Sequence, residues 1–246
     1  MNIKINKETV EVNSKMEEKS FYVKKMFSSI ASKYDFFNDL ISFGMHRNWK
    51  NFIIKLADLK ENDFSLDICT GTGDIAIKLA KENKGKVIGL DFVEEMLEIA
   101  NLKAKNLKLD KVLTFKQGDF LNLPFEDNTF DVVTVGYGLR NVTDIPKAID
   151  EMKRVAKDGA RIISLDLGKP KLPIYKDIYY FYFYKIMPIL TSLFQSKKEA
   201  YDYLPNSLSE FPAQEGLIKI MQDKGLKNVK CYEFALGSTA IHFAIK

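Results

Sequence analysis

The sequence predicts an α/β fold, a doubly wound and mostly parallel sheet with helices on both faces. An apolar run that begins at Phe64 breaks into Gly71-Thr72-Gly73, and a helical pattern over residues 75–81 follows at once. Strand and helix patterns then alternate through five repeats, to about residue 165. The chain ends in a hairpin at residues 229–245. These strand patterns add up to a seven-stranded sheet.

Composition limits the kind of protein and partner. The chain has 246 residues with 46% hydrophobic content, enough to bury a large core. A net charge of +4 gives no argument for nucleic acid, and we expect none as a partner. Cys69 and Cys231 are too few for a disulfide framework, and His46 and His242 lack ligand-like spacing, so no metal site is predicted. With a charged start and no signal peptide, we expect a cytoplasmic protein, in peripheral contact with a membrane at most.

Three regions differ in composition. Residues 1–20 mix lysine and glutamate with few large apolar groups, which predicts a flexible tail. Residues 21–58 are dense in aromatic side chains at helical spacing. They form either a helical pair packed on the core or a helical cap that closes a ligand pocket against water. Residues 59–246 form the main domain, in which 169–212 are an aromatic insertion.

The glycine turn after the first strand is built for a nucleotide-like ligand. Gly71 and Gly73 have no Cβ, so the backbone can take positive φ and a ligand can approach its amides. Asp67 lies on the strand before the turn. Gly71-x-Gly73-x-x-Ala76 formally satisfies the dinucleotide fingerprint, which keeps a nicotinamide-dependent oxidoreductase among the alternatives.

The second strand, residues 85–91, ends in Asp91, which Phe92 follows. Parallel strands end at one edge of the sheet, so the Asp91 carboxylate should lie beside the glycine turn and accept hydrogen bonds from ribose hydroxyls. The alternative is an N-cap for the helix at 93–104, and one aspartate can do both.

The fourth strand, residues 132–135, follows an acidic block, LPFEDNTFD, and leads into GYGLRNVTD at 136–144. Ligands of open parallel sheets bind outside the strand ends, so this loop should face the substrate. Arg140 and Asn141 arrive there together, and a surface salt bridge is the alternative for Arg140.

The alternation stops at KPKLPIYKDIYYFYFYKIMPILTSLF, residues 169–194. This segment is too short and too often charged to span a bilayer. Its amphipathic aromatic residues suit either an interfacial segment or a channel for a greasy ligand, and burial against the insertion is the alternative.

Several motifs in order resemble one family. KYDFFNDLISFGMHRNWK, DICTGTGD, LPFEDNTFD, GLRNVTD and YLPNSLSEFPAQE together are similar to the menaquinone and ubiquinone biosynthesis C-methyltransferases, and the resemblance runs from about Val23 to the C-terminus. The acidic block is typical of methyltransferases and not of dehydrogenases. The resemblance implies a Rossmann-like class I methyltransferase fold with an antiparallel last strand. It also implies methyl transfer from S-adenosyl-L-methionine to a ring carbon of a polyprenylated quinol.

Carried over by position, the resemblance implies cofactor contacts at Thr72, Asp91, Asp119, Phe120 and Gly136. The carboxylate after the third strand is expected at the adenine amine, with the neighbouring apolar residue against the ring. Together with Asp67, Gly71, Gly73 and Phe92, these residues make up the predicted cofactor site. Cys69 stands where many methyltransferases have a glycine, and Gly136 where relatives offer a hydroxyl, so contacts there would be through the backbone.

The predicted reaction needs a quinol hydroxyl to lose its proton so that charge reaches the ring carbon. Arg140 stays protonated and is expected to stabilise the phenolate, with Asn141 positioning an oxygen or a water. The base is either His46 or a water held by Arg140 or Tyr137.

The quinol ring and the partners stay open on the sequence. Demethylmenaquinol is favoured by the YLPNSLSEFP segment, and 2-methoxy-6-polyprenyl-1,4-benzoquinol is the alternative. A non-catalytic subunit of a quinone-synthesis assembly is a further alternative. A homodimer and a transient contact with a membrane surface are both compatible with the sequence.

Overall fold

The computed structural model describes residues 7–82, 85–187 and 207–246. The strands are β1 Ser65–Ile68, β2 Val87–Asp91, β3 Leu113–Gln117, β4 Phe130–Gly136, β5 Ala156–Leu167, β6 Lys227–Phe234 and β7 Thr239–Ile245. They form one sheet in the order β3-β2-β1-β4-β5-β7-β6. Neighbours among β1 to β5 are parallel, while β7 runs antiparallel to both β5 and β6. The predicted doubly wound, mostly parallel sheet with an antiparallel last strand is confirmed.

The helices are α1 Lys7–Ile30, α2 Tyr34–Ser42, α3 His46–Ala57, α4 Asp74–Glu82, α5 Glu94–Asn106, α6 Ile145–Val155, α7 Pro173–Phe181 and α8 Ala213–Asp223. A π-helical turn, Tyr182–Ile186, continues α7. Helix α1 starts inside the segment 1–20 that the sequence assigns to a tail, because lysine and glutamate are good helix formers even without an apolar face. Part of the predicted insertion, residues 188–206, lies outside the described residues.

Strand β5 is longer than predicted. It contains a bulge, because Phe130 pairs with Ala156 while Val132 pairs with Arg161. Gly159 takes φ 80° inside the bulge. At its other end β5 continues past residue 165 and includes Asp166. This extension brings a carboxylate to the edge of the sheet where the strands end.

The order of the strands places the site. The chain reverses its direction of winding between β1 and β4, which are neighbours, and a crevice forms there at the carboxyl ends of the strands. The glycine turn after β1, Asp91 of β2 and Gly136 of β4 all lie at this edge. Buried side chains fill both faces of the sheet, with α6 and α8 on one side and α3 and α4 on the other. No helix of the described part of the chain is long and apolar enough to cross a bilayer.

Candidate active site

The turn between β1 and α4 has little room for anything but glycine. Gly71 and Gly73 take φ 55° and 85°. A Cβ on Gly73 would lie 2.9 Å from the Phe115 ring and 3.1 Å from the Ala100 Cβ. Cys69 also takes positive φ, 53°, in the place where many methyltransferases have glycine. The backbone of this turn is therefore set by packing against α5 and β3 before any ligand binds.

Asp67 supports the turn from inside the protein. Its carboxylate is 1% exposed and accepts hydrogen bonds from the hydroxyls of Thr70 at 2.6 Å and Thr134 at 2.7 Å. Burial raises the pKa of Asp67 to about 6, although the two hydroxyls act to lower it. The predicted part of Asp67 in the cofactor site is thus an indirect one, through the shape of the turn.

Ionisation of the buried Asp67 carboxyl should make the stability of the folded protein depend on pH. Because the folded pKa of Asp67 is above the unfolded value, ionisation opposes folding, and stability is lost as pH rises from about 4 to about 7. An Asp67→Asn variant lacks this loss. As pH rises through this range, we expect the free energy of unfolding of the variant to increase by about 3 kcal/mol relative to that of the wild type. Urea denaturation of both proteins at several pH values measures it, and parallel curves would contradict the assignment.

Asp91 ties β2 to the glycine turn. Its carboxylate accepts hydrogen bonds from the amides of Gly71, at 2.8 Å, and Val93, at 3.0 Å. Burial raises its pKa, against the effect of these amides. The Asp91 carboxylate therefore lies beside the glycine turn, while the N-cap residue of α5 is Val93, so the N-cap alternative for Asp91 is wrong. The contact of Asp91 with ribose hydroxyls stays a prediction. The Phe92 side chain packs with Phe27 and Tyr34 of the N-terminal helices.

Asp119 and Phe120 differ in exposure. Asp119 is exposed and accepts a hydrogen bond from the amide of Leu121 at 2.9 Å, which leaves acceptor capacity for an amine. Phe120 is buried in the core with Leu90 and Leu123, so its ring is committed to packing. A contact of Phe120 with a ligand would have to come from its backbone.

The loop after β4 is held in a tight conformation. A Cβ on Gly136 would overlap the terminal methyl group of Ile75, which would have to rotate away to admit a larger residue. Tyr137 takes φ 59°, and its amide donates to the Leu165 carbonyl at 2.7 Å. Burial, reinforced by Asp166, raises the pKa of the Tyr137 hydroxyl well above its ordinary value. This hydroxyl stays protonated at neutral pH and can donate a hydrogen bond but cannot act as a base.

Arg140 and Asn141 meet on the same carbonyl. The Arg140 guanidinium and the Asn141 amide each donate to the Tyr137 carbonyl at 3.0 Å. Arg140 also pairs with Asp166 at 2.6 Å, and the two side chains are 8% and 1% exposed. A surface salt bridge, the alternative for Arg140, is therefore wrong. The sequence analysis missed Asp166, although it follows a buried strand as Asp91 does.

His46 occupies the corner between α2 and α3. Its Nε2 lies 2.8 Å from the Asp39 carboxylate, and its Nδ1 is buried with no hydrogen-bond partner among the described residues. Burial lowers the pKa of His46, although Asp39 acts to raise it, so the ring is neutral near pH 7. The charges of Lys50 and Asp74 act on the ring as well.

The N-terminal helices close over the glycine turn. Tyr34 of α2 would lie 3.7 Å from a Cβ on Gly71, and burial raises the pKa of its hydroxyl. Its ring meets Phe27 of α1 edge to face. The helical pair therefore packs on the domain over the glycine turn, and closure of a ligand pocket against water stays a prediction.

A polar network joins these helices to the turn. The Thr72 hydroxyl donates to Asp35 of α2 at 2.5 Å and accepts from Lys103 of α5 at 3.0 Å. Asp74, the first residue of α4, pairs with Lys103 at 3.0 Å and with Lys50 of α3 at 2.8 Å. Burial acts to raise the pKa of Asp74, but the two lysines outweigh it and hold the pKa well below its ordinary value. We call these five residues the cap network; none of its charged members was predicted.

Comparisons with known proteins decide the family. Residues 14–246 match the model of the ubiE/COQ5 methyltransferase family. The chain belongs to this family. A demethylmenaquinone methyltransferase of Staphylococcus haemolyticus is 40% identical over 238 residues, which cover 96% of this chain and 97% of that protein. Membership in the ubiE/COQ5 family decides between the two cofactor classes that fit the glycine turn, in favour of a methyltransferase.

Solved structures show the same fold. A SAM-dependent methyltransferase from Aquifex aeolicus matches with a TM-score of 0.58 and 23% identity, over 80% of this chain and 88% of that one. Phosphoethanolamine N-methyltransferase 2 of Haemonchus contortus, in complex with S-adenosyl-L-methionine, matches with a TM-score of 0.59 and 17% identity. It covers 81% of this chain and 52% of that one. The ubiE/COQ5 chain thus shares the class I methyltransferase fold.

The residues of this ubiE/COQ5 chain fit an adenosyl group. The turn offers glycine backbone at positive φ, and Asp91 and Asp119 offer carboxylates for hydroxyls and an amine. Beside Arg140 opens a groove of about 410 Å³. It is lined by Lys19, Arg140, Val142, Thr143, Asp144, Ile145, Pro146, Glu210, Phe211, Pro212 and Ile220. Among the residues that the structure describes, no group of His, Cys, Asp and Glu could hold a metal ion.

Proposed function

We propose that this chain transfers a methyl group from S-adenosyl-L-methionine to a ring carbon of a polyprenylated quinol, and that the quinol is demethylmenaquinol. The observation that carries the proposal is the buried Arg140–Asp166 pair, 2.6 Å apart, at the sheet edge that also holds Asp91 and the glycine turn. A fixed cation at this edge suits a substrate that becomes an anion. The demethylmenaquinone methyltransferase that is 40% identical supports the choice of quinol.

The proposed cofactor contacts divide among the strand ends. Asp91 would accept hydrogen bonds from the ribose hydroxyls, and Asp119 would accept one from the adenine amine. Thr72 and the backbone of Gly71, Gly73 and Gly136 would line the rest of the proposed cofactor site. Asp67 supports the glycine turn by accepting a hydrogen bond from Thr70, and Phe92 packs against the N-terminal helices. Bound S-adenosyl-L-methionine supplies an electrophilic methyl group on a sulfonium ion.

The protein's part in the reaction is to make and hold a phenolate. Arg140 stabilises the charge on the oxygen, and Asp166 with the Tyr137 carbonyl keeps the guanidinium in one orientation. The proton leaves either to the Nδ1 atom of His46 or to a water held in the loop, and the Tyr137 hydroxyl can orient that water. Alignment of carbon and methyl group can account for roughly 7–11 kcal/mol of the barrier. The helical cap over the turn keeps other water out.

The proposed substrate requires contact between the enzyme and a membrane. A prenyl tail keeps the quinol in a lipid bilayer, so we propose a cytoplasmic enzyme that contacts the membrane surface transiently. A homodimer is a separate proposal, and sedimentation velocity over a range of protein concentrations tests it.

The function is tested by binding and turnover together. We expect S-adenosylhomocysteine to bind in calorimetry and NADH not to bind. Methyl transfer from labelled cofactor should be faster to a short-chain demethylmenaquinol than to the matching 2-methoxy-benzoquinol. Asp91→Ala should weaken S-adenosylhomocysteine binding about tenfold to hundredfold, since it removes hydrogen bonds to a charged acceptor.

Each negative result would overturn a different part of the proposed function. NADH binding without S-adenosylhomocysteine binding would overturn the cofactor. Cofactor binding without turnover on either quinol would point to a non-catalytic subunit. Faster turnover of the benzoquinol would move the substrate to the ubiquinone series.

A further inference from the structure

Helix α7 and the π-turn after it are apolar on two opposite sides. One side packs inward, through Tyr179, Phe183 and Met187, which are all buried. The other side carries Ile174, Ile178 and Phe181, with exposed fractions of 78%, 59% and 61%. A helix with one core-facing stripe normally has polar residues opposite to it. An outward apolar stripe of this kind marks an interaction surface.

The corner between α2 and α3 extends the same surface. The Tyr182 hydroxyl donates to the Ile41 carbonyl at 3.2 Å, and its ring lies 6.4 Å from that of Phe43. Phe43 is 75% exposed, and Met45 beside it is exposed as well. We call Phe43, Met45, Ile174, Ile178 and Phe181 the docking face.

The segment that carries most of the docking face has a small excess of positive charge. Residues 169–187 contain four lysines and a single acid, Asp177. Lys185 is exposed one turn after Phe181, Lys176 is exposed on the flank of the same helix, and Asp177 is exposed between Lys176 and Ile178. Apolar and aromatic side chains among lysines favour the boundary between lipid headgroups and acyl chains, and an anionic bilayer attracts the lysines.

The inner side of the same helix lies at the reaction centre. The Tyr179 hydroxyl donates to the Gly168 carbonyl at 3.5 Å, two residues after Asp166, and burial raises the pKa of this hydroxyl. Helix α7 therefore separates the reaction centre from the docking face by its own thickness. A quinol whose tail stays in a bilayer on the outer side has only a short path to the reaction centre.

We propose that the docking face seats this protein on an anionic lipid bilayer, with Phe43, Ile174, Ile178 and Phe181 among the acyl chains and Lys176 and Lys185 at the headgroups. The docking itself rests on the surface described above. Its use, the delivery of a lipid-tailed quinol, rests on the proposed function.

Vesicle co-sedimentation without substrate or cofactor tests the docking. We expect the full chain to bind vesicles of phosphatidylglycerol and phosphatidylcholine, and to bind pure phosphatidylcholine much more weakly. Ile174→Glu/Ile178→Glu should weaken binding at least about tenfold. Lys176→Gln/Lys185→Gln should weaken it about tenfold for the anionic vesicles alone. Leu102→Glu is the matched control, since Leu102 is 60% exposed on α5, beside β2 and β3, and should bind as the wild type does.

Turnover on a water-soluble naphthohydroquinone without a tail separates this proposal from the proposed function. The glutamate variant should keep wild-type turnover on that substrate and lose turnover on a vesicle-bound quinol. Absence of vesicle binding by the wild type, or equal weakening by Leu102→Glu, would overturn the docking. Dimers that dissociate in the glutamate variant, without any vesicle binding, would assign the face to a second copy of the chain. A wild type inactive on every quinol but bound to vesicles would overturn only the function.

Discussion

Replacing Arg140 with methionine is expected to lower turnover by about 10²–10³-fold, while the affinity for S-adenosylhomocysteine stays within a few-fold of the wild type. The reason is that the guanidinium is fixed before the reaction by Asp166 and the Tyr137 carbonyl, so it meets the phenolate without reorganising. Steady-state kinetics on the tail-free naphthohydroquinone give the turnover, and calorimetry gives the affinity. An equal loss of both would refute the role of Arg140 at the substrate.

The same variant also loses stability, which must be separated from catalysis. Methionine at 140 leaves the Asp166 carboxylate buried without its cation, which costs about 3–5 kcal/mol. Arg140→Met/Asp166→Leu removes both charges and should recover most of that stability. We expect the double variant to unfold near the wild-type temperature and to stay inactive. Recovery of turnover along with stability would mean that Arg140 acts only as a structural partner of Asp166.

The frame of the fold and the strand-end residues were predictable because they depend on local patterns. Gly71 and Gly73 mark a turn by their need for positive φ, and a carboxylate that follows a buried strand, such as Asp91, must reach the sheet edge. The start of α6 is also fixed locally, since the Asp144 side chain caps it and Pro146 stands in its first turn.

The partners of these residues were not predictable in the same way. Asp166 lies 26 positions from Arg140, and a lengthened β5 brings the two together. Phe120 sits in a motif where an apolar side chain was expected against the ligand, yet the core takes its ring. Sequence patterns give the strand or turn of a residue, but the neighbour that it meets depends on how distant elements pack.

The burial of Lys50 is another feature that sequence patterns do not predict, and its substitution should have the second large effect. It lies on the buried side of α3 with its side chain 7% exposed, and pattern reasoning assigns a lysine to the solvent. Its partner Asp74 is the first residue of α4, directly after the glycine turn. The pair therefore holds α3 against the turn that binds the cofactor in our proposal.

Lys50→Met is expected to lower the free energy of unfolding by about 3 kcal/mol, or roughly 6–12 °C in Tm, because it removes one partner of a largely buried pair. The affinity for S-adenosylhomocysteine should fall with it, since the helices that cover the turn lose a contact to α4. Thermal denaturation and calorimetry measure the two effects, and hydrogen exchange of α2 and α3 should rise. Asp74 keeps its second cation, Lys103, so the loss should stay at the lower end of the range for buried pairs.

Arg47→Met is the matched control on the same helix. Arg47 is 67% exposed and pairs with Asp39, so its loss should change stability much less than the loss of Lys50 and leave cofactor affinity unchanged. If Lys50→Met and Arg47→Met had equal effects, the cap network would be an ordinary surface feature. If Lys50→Met lost stability but bound the cofactor as the wild type does, the helices and the turn would be packed together without being coupled in binding.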